Sequence, residues 1–203
     1  MTGIAYGTLI VFALKGELYS VFQKIDLKAR YSLSKRKHLY HAEWQDIPFY
    51  LLQTGVGSGA VRDALDALPS DMEISRIVNA GTCGSLRDDL SPGDIVVPEK
   101  VIAEWDHTIQ KPGKTPSDIQ TVKTCITVGC SQNTVEFRER LKNQFKADIV
   151  DMEAWAVMDW ACRHGIPAYV LKCVSDQVGP QSSVELKQHL SDCSQTLAEA
   201  LLS

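Results

Sequence analysis

Four acidic side chains stand where apolar segments of this chain give way to turns. Glu17 follows Thr8 to Leu14, Asp151 and Glu153 follow Ala147 to Val150, and Asp176 follows Ala168 to Val174. A carboxylate in such a place can donate or accept protons for a reaction once burial or a neighbouring like charge moves its pKa. It can equally cap a helix, where the backbone N–H groups and the dipole favour negative charge. On residue types alone both readings stay open for all four. The same strand ends deliver small or polar residues: Gly55-Val56-Gly57-Ser58-Gly59, Gly81-Thr82-Cys83-Gly84, Gly129-Cys130-Ser131 and Ser175. Glycine there lets the backbone come close to a ligand, although any one such loop can be no more than a turn.

One loop needs a closer test. Gly55 to Ala60 fits GxGxxG/A between a strand and a helix, the signature of dinucleotide binding. That signature also wants an acidic residue after the next strand to hold a ribose diol. Here Asp71 and Glu73 precede that strand, and Asn79-Ala80-Gly81 end it. The requirement fails, and no nicotinamide cofactor is expected. The five histidines contain no HxxxH or HExxH spacing and the six cysteines no CxxC pair, so no metal centre is expected either.

The elements that must position these residues alternate between strands and helices. Strands are expected at Thr8–Leu14, Lys37–Glu43, Pro48–Thr54, Ile74–Ala80, Asp94–Ala103, Lys123–Val128, Ala147–Val150 and Ala168–Val174. Helices are expected at Gly16–Gln23, Ala60–Leu68, Thr134–Phe145, Met152–His164 and from about Val184 to Leu202. Gln110–Ser117, with two prolines and a glycine, reads as a loop. The alternation points to α/β layers on a largely parallel or mixed sheet. A length of 203 residues, 44% hydrophobic and 23% charged, excludes disorder and fibrous repeats, and residues 1–203 read as a single domain.

With 21 basic against 25 acidic residues the chain lacks the cationic excess of a nucleic-acid binder. The short run Lys35-Arg36-Lys37, with Lys28 and Arg30 upstream, reads as a solvated edge. The longest apolar run, Leu9 to Leu14, is too short to span a bilayer, and no secretion signal surrounds it. A cytoplasmic protein with reduced, mostly buried cysteines is the expectation.

Four blocks taken in order resemble the purine nucleoside phosphorylase and nucleosidase superfamily. They are Phe12 to Leu18; Gly55-Val56-Gly57 with the helix after it; Val78 to Leu86 continuing to Pro92-Gly93-Asp94-Ile95-Val96-Val97; and Val150-Asp151-Met152-Glu153-Ala154 continuing to Gly165-Ile166-Pro167 and Val174-Ser175-Asp176. Together they reach from the first strand to the last. Within the superfamily the chain looks most like the hydrolases acting on methylthioadenosine and S-adenosylhomocysteine. The related phosphorylases hold phosphate with an arginine where this chain has Asn79, and their Gly-x-Pro-x-Arg motif is absent.

The resemblance implies a cofactor-free hydrolase on a three-layer α/β/α fold with a mixed sheet, a homodimer, with a nucleoside as its small-molecule partner and no nucleic acid or membrane. By the same resemblance Asp176 is the general acid at the purine, and Glu17 activates the attacking water. Glu153 accepts hydrogen bonds from the ribose hydroxyls, Met152 packs under the sugar, and Lys172, in place of the family's arginine, helps hold ribose and water. Val56, Thr82, Cys83, Gly84, Ser175 and Gln132 complete the expected substrate site. The chain departs from the pattern at three places: Gln132 stands where the nucleosidases carry the aromatic ring that stacks on the base, Asp151 replaces a glutamate, and the stretch His107 to Thr121 is short. These departures leave the base and the 5′ substituent open.

Overall fold

The computed structural model describes residues 4–114 and 119–203. Its elements run β1 (Thr8–Phe12), α1 (Lys15–Phe22), β2 (Asp26–Ser34), β3 (Lys37–Trp44), β4 (Ile47–Gln53), α2 (Ser58–Leu65), β5 (Arg76–Ser85) and β6 (Ile95–Ala103). They continue with β7 (Ile109–Gln110), β8 (Gln120–Thr127), α3 (Val135–Phe145), β9 (Ile149–Asp151), α4 (Ala154–Arg163), β10 (Ala168–Gln177) and α5 (Ser182–Leu201).

The strands form one mixed sheet with β1 at its centre, parallel to both β4 and β5. Every residue of β1 is buried, and its side chains divide by parity. Leu9 and Val11 pack with Val61, Ala64 and Leu65 of α2 and with Ala156, Val157 and Ala161 of α4. Ile10 and Phe12 pack with Leu18 and Val21 of α1 and with Leu197, Ala198 and Leu201 of α5. A strand covered by helices on both faces must be apolar throughout, which is why Thr8–Leu14 reads as an unbroken apolar run. The expected helix–sheet–helix layering follows from these two half-cores.

On one side the sheet ends in the antiparallel β2-β3-β4 meander. Here β2 is an added strand: Leu27, Ala29, Tyr31 and Leu33 alternate with polar residues along it, but its nine residues are nearly all exposed. The basic cluster lies on and beside this edge, with Lys28 paired to Asp26 and Glu43 and Lys37 to Asp63. On the other side the sheet curls shut. β5 runs parallel to β10, β10 antiparallel to β6, β6 parallel to β8, and β8 parallel to β9. β9 returns antiparallel to the end of β5 at Gly84 and Ser85. Both β5 and β10 run past their expected ends to serve this ring, which takes the Gly81–Gly84 segment and Ser175-Asp176 into the sheet instead of leaving them in loops. α3 covers the ring through Phe137, Leu141 and Phe145.

Of the expected loop, Gln110 pairs in β7, and residues 115–118 lie outside those described. Four cysteines are buried, while Cys130 and Cys162 are exposed, and none of the six is in a disulfide. Among the described residues no helix is long and apolar enough to cross a membrane.

Helix α3 stops at Lys146, which adopts the left-handed conformation (φ 52°, ψ 41°) and donates its N–H to the Leu141 and Lys142 carbonyls. A side chain pays a steric cost in that conformation. Lys146→Gly is therefore expected to raise unfolding stability by about 0.5–1 kcal/mol, read from the urea midpoint.

Candidate active site

A single cavity opens where β1, β5, β9 and β10 deliver their carboxyl-terminal ends. Glu17, Val56, Thr82, Cys83, Gly84, Met152, Glu153, Ser175 and Asp176 all line it. In an α/β sheet this crevice is where ligands bind, because the loops leaving parallel strands converge there. The three carboxylates that reach it are almost wholly removed from solvent, at 2% exposure for Glu17 and 8% for both Glu153 and Asp176.

Glu17 sits in the first turn of α1 and turns back on the chain. Its Oε2 accepts the Leu14 N–H at 2.8 Å, and its Oε1 accepts both the Thr82 N–H at 2.8 Å and the Thr82 hydroxyl at 2.9 Å. Four lone-pair positions are available on a carboxylate, so three donors leave one, on Oε2. The helix itself is pinned by α5: the buried Ser194 hydroxyl accepts the Ser20 N–H and donates to the Glu17 carbonyl, both at 3.0 Å. Ser194 lies far from any motif, so nothing in the sequence signalled its part in the site.

The pair Asp151 and Glu153, equivalent in sequence, divide into different tasks. Asp151 is the cap: its Oδ2 accepts the Ala154 N–H at 2.8 Å, and its Oδ1 accepts the Thr127 hydroxyl at 2.7 Å. It also meets Lys172 Nζ at 2.7 Å, with both side chains essentially unexposed. Lys172 therefore does not line the cavity as expected. Its lysine stem is held beneath, and its ammonium is committed to Asp151. Burial works against its charge, but the Asp151 and Glu153 carboxylates outweigh that and hold its pKa above the ordinary value.

Released from capping, Glu153 reaches into the cavity. Its Oε1 accepts the Gly57 N–H at 2.7 Å, which fixes the β4–α2 loop over it. Gly57 adopts φ 95°, a conformation that aims this N–H and that a side chain would resist. Ser58 secures the same loop by donating to the Met152 carbonyl at 3.1 Å. Burial first, and the Asp151 charge second, push the Glu153 carboxyl up to about 7, against the opposing pull of Lys172.

Asp176 lies at the far side, where its Oδ2 accepts the Ser175 hydroxyl at 2.7 Å. Burial raises its pKa, with the Ser175 and Ser182 hydroxyls working the other way. α5 steadies this strand end through His189 Nδ1, 3.0 Å from the Ser175 carbonyl oxygen.

Gln132 is the second expected residue found elsewhere. It is exposed in the segment before α3 and does not line the cavity; Val128 and Ser131 stand on that wall instead. Leu14, from the first motif block, adds apolar wall, and so do Val178 and Leu186, which no motif marked. Among the described residues the cavity lining contains no aromatic ring. Among the described residues no cluster of His, Cys, Asp and Glu could hold a metal ion.

A buried charge left without its partner is costly, so Lys172→Met is expected to destabilise the fold by about 3–5 kcal/mol. In the double variant Lys172→Met/Asp151→Asn the strand is uncharged on both sides and part of that loss returns, a coupling measurable in a chemical-denaturation cycle.

Comparison with known proteins bears on both the fold and the motifs. The family model described as Phosphorylase superfamily matches residues 9–127 and 113–203. A 5′-methylthioadenosine/S-adenosylhomocysteine nucleosidase of Buchnera aphidicola is 25% identical over 196 residues, covering 82% of this chain and 77% of the relative. One from Oceanobacillus iheyensis is 23% identical over 194 residues, covering 82% and 84%. Among solved structures, the Helicobacter pylori nucleosidase with butyl-thio-DADMe-Immucillin-A superposes with a TM-score of 0.87 at 15% identity, over 98% of this chain and 97% of that one. The futalosine hydrolase of the same organism gives 0.85 at 16%, over 97% and 96%. With matched segments reaching from β1 to the end of α5, this chain belongs to the phosphorylase superfamily.

Proposed function

We propose that this chain hydrolyses the N-glycosidic bond of a purine nucleoside with a 5′ substituent, releasing the free base. The observation that carries the reading is the meeting of three buried carboxylates in one cavity, each with a different set of neighbours. The named activities of the relatives, methylthioadenosine/adenosylhomocysteine nucleosidase and futalosine hydrolase, support it.

Breaking the bond leaves positive charge on the ribose and negative charge on the base, so the site must supply a proton at one end and an anion at the other. Asp176, whose pKa burial raises, donates a proton to the purine N7. Glu153 accepts from the ribose 2′ and 3′ hydroxyls, a pairing that rejects a ribose lacking them because the buried carboxylate would go unmet. Glu17 has one acceptor position free, enough to orient one water and take its proton. Met152, which lines the cavity, packs under the sugar. Lys172 acts from beneath, through Asp151. The same reading takes residues 1–203 as one domain and a cytoplasmic homodimer as the working form; the resemblance alone supports the homodimer.

One feature favours a non-catalytic nucleoside binder, namely the cavity without an aromatic ring for the base. A panel of methylthioadenosine, adenosylhomocysteine, inosine, adenosine and 5′-extended 6-oxopurine nucleosides, with and without phosphate, decides between the readings. Base release without phosphate is expected from at least one 5′-substituted member; binding without release establishes the binder, and strict phosphate dependence a phosphorylase. Asp176→Asn is expected to lower kcat by about 10²–10⁴-fold with little change in binding. Because Glu153 must be ionised to accept from the ribose, kcat/KM should rise with pH through about 7, and Glu153→Gln should flatten that limb.

A further inference from the structure

The basic residues of the β2–β3 hairpin, which read as a solvated edge in the sequence, fall into two sets. Lys28 is paired with Asp26 and Glu43, and Lys37 with Asp63. Arg30 has no carboxylate partner among the described residues. Its Nη2 lies 3.0 Å from His38 Nε2, and its guanidinium stands 5.9 Å from the centre of the Tyr40 ring. A guanidinium can only donate, so His38 Nε2 accepts and the ring proton sits on Nδ1. That nitrogen is buried and has no hydrogen-bond partner among the described residues. Burial, and then the charges of Arg30 and Lys15, lower the His38 pKa and keep the ring neutral. A guanidinium held by an imidazole and an aromatic ring, with a lysine beside it, keeps its positive charge available to a ligand.

The strand register places this group at the rim of the cavity. Gln53 ends β4 beside Phe12 of β1 and opposite His38 of β3. Arg30 is opposite Tyr40, which packs in the half-core of Phe12 and Leu18, so the group sits on the α1 side of the sheet. Leu14 and Val56, just past β1 and β4, line the cavity, and Val56 is 50% exposed. Lys15, itself exposed, comes directly after Leu14. With the base at Asp176 and the ribose at Glu153, which holds the Gly57 N–H, the 5′ carbon lies at the Val56 end. A substituent leaving between Leu14 and Val56 crosses apolar wall and runs toward Lys15, His38 and Arg30.

We propose that Arg30, His38 and Lys15 form an oxyanion-binding site at the rim of the cavity, and that its ligand is the oxyanion at the far end of the nucleoside's 5′ substituent. The assignment of that ligand rests on the nucleoside reading above. Arg30 offers its remaining N–H groups, Lys15 a mobile ammonium and His38 a neutral donor, a set that discriminates by charge at the far end of the substrate while the ribose and base are held elsewhere.

The test uses 5′-carboxyalkylthio nucleosides of increasing chain length, with adenine or hypoxanthine as the base, each beside the carboxamide of the same length. Affinity by calorimetry and kcat/KM for base release are measured for every pair. At one length the carboxylate should be preferred by about fivefold to tenfold, chiefly through KM, and added sodium chloride should reduce that preference. Arg30→Gln should abolish the preference, Lys15→Gln should lower it, and Arg30→Lys should keep part of it. Lys28→Gln, which removes the same charge from a lysine already paired, should retain it. Inorganic phosphate should compete with the carboxylate and not with the carboxamide. Equal affinity for the two members at every length, or no affinity for either, overturns the proposal, as does a preference that survives Arg30→Gln. Phosphate binding that Arg30→Gln removes, without any such preference, also overturns it and leaves a site for a free oxyanion. Base release that does not discriminate between the members removes this site and keeps the hydrolase reading. A preference in binding without base release keeps the site and removes the hydrolase reading.

Discussion

Two opposite charges sit in the interior of the closed part of the sheet, Lys172 on β10 and Asp151 at the end of β9, 2.7 Å apart. They occupy the same sides of their strands as the apolar Val170 and Ile149, in positions that binary patterning reserves for hydrophobic residues. Neither charge can be hydrated there, so each needs the other, and the pair ties β9 to β10, two strands that are not paired with each other but share the partner β5. Replacing such a pair by apolar residues is often harmless to stability elsewhere. Here Asp151 also caps α4 and accepts from Thr127, so the strand, the helix start and the lysine are registered to one another by a single carboxylate.

The position of Glu153 follows from that arrangement. Because its neighbour caps α4, Glu153 need not, and its side chain turns to the cavity and the Gly57 N–H. Its raised proton affinity has the same origin: burial costs its charge, and the fixed negative Asp151 adds to that, while Lys172 opposes both. Raising an acid's pKa on folding favours the protonated folded form. The contribution of this group to stability is therefore complete at low pH and is lost as pH rises through about 7, opposite to the usual salt-bridged carboxylate. The site gives up some stability at neutral pH to keep an ionisable acceptor where a ribose could use it.

Glu17 shows a second way of holding a buried carboxylate, with neutral donors in place of a cation. Three hydrogen bonds take up most of its capacity and fix its one open lone pair. For Asp176 burial is the main influence, and it raises the pKa. The three carboxylates thus differ in chemistry through what surrounds them and not through their residue type.

Much of this was legible in the residues. The doubly covered strand β1, the helices after Gly59 and Thr134, and the carboxylates at strand ends follow from apolar period and turn chemistry, which are local. The order of the four motif blocks was enough to indicate the superfamily. Strand β2 was passed over although Leu27, Ala29, Tyr31 and Leu33 alternate with polar residues, since Lys28 and Arg30 among them read as a solvated edge; the length of β5 and β10 was not legible because glycine and serine at their ends look like turns until a partner strand pairs them. The sequence by itself determined which side chains were available for chemistry and the layers that bring them to one edge of the sheet. Which carboxylate caps and which faces the cavity, that Lys172 lies beneath the site, that Gln132 lies outside it and that Ser194 steadies it were decided only by tertiary structure. Lys172 and Ser194 owe their places to partners 21 and 177 positions away in the chain, Asp151 and Glu17, which local sequence pattern does not reveal.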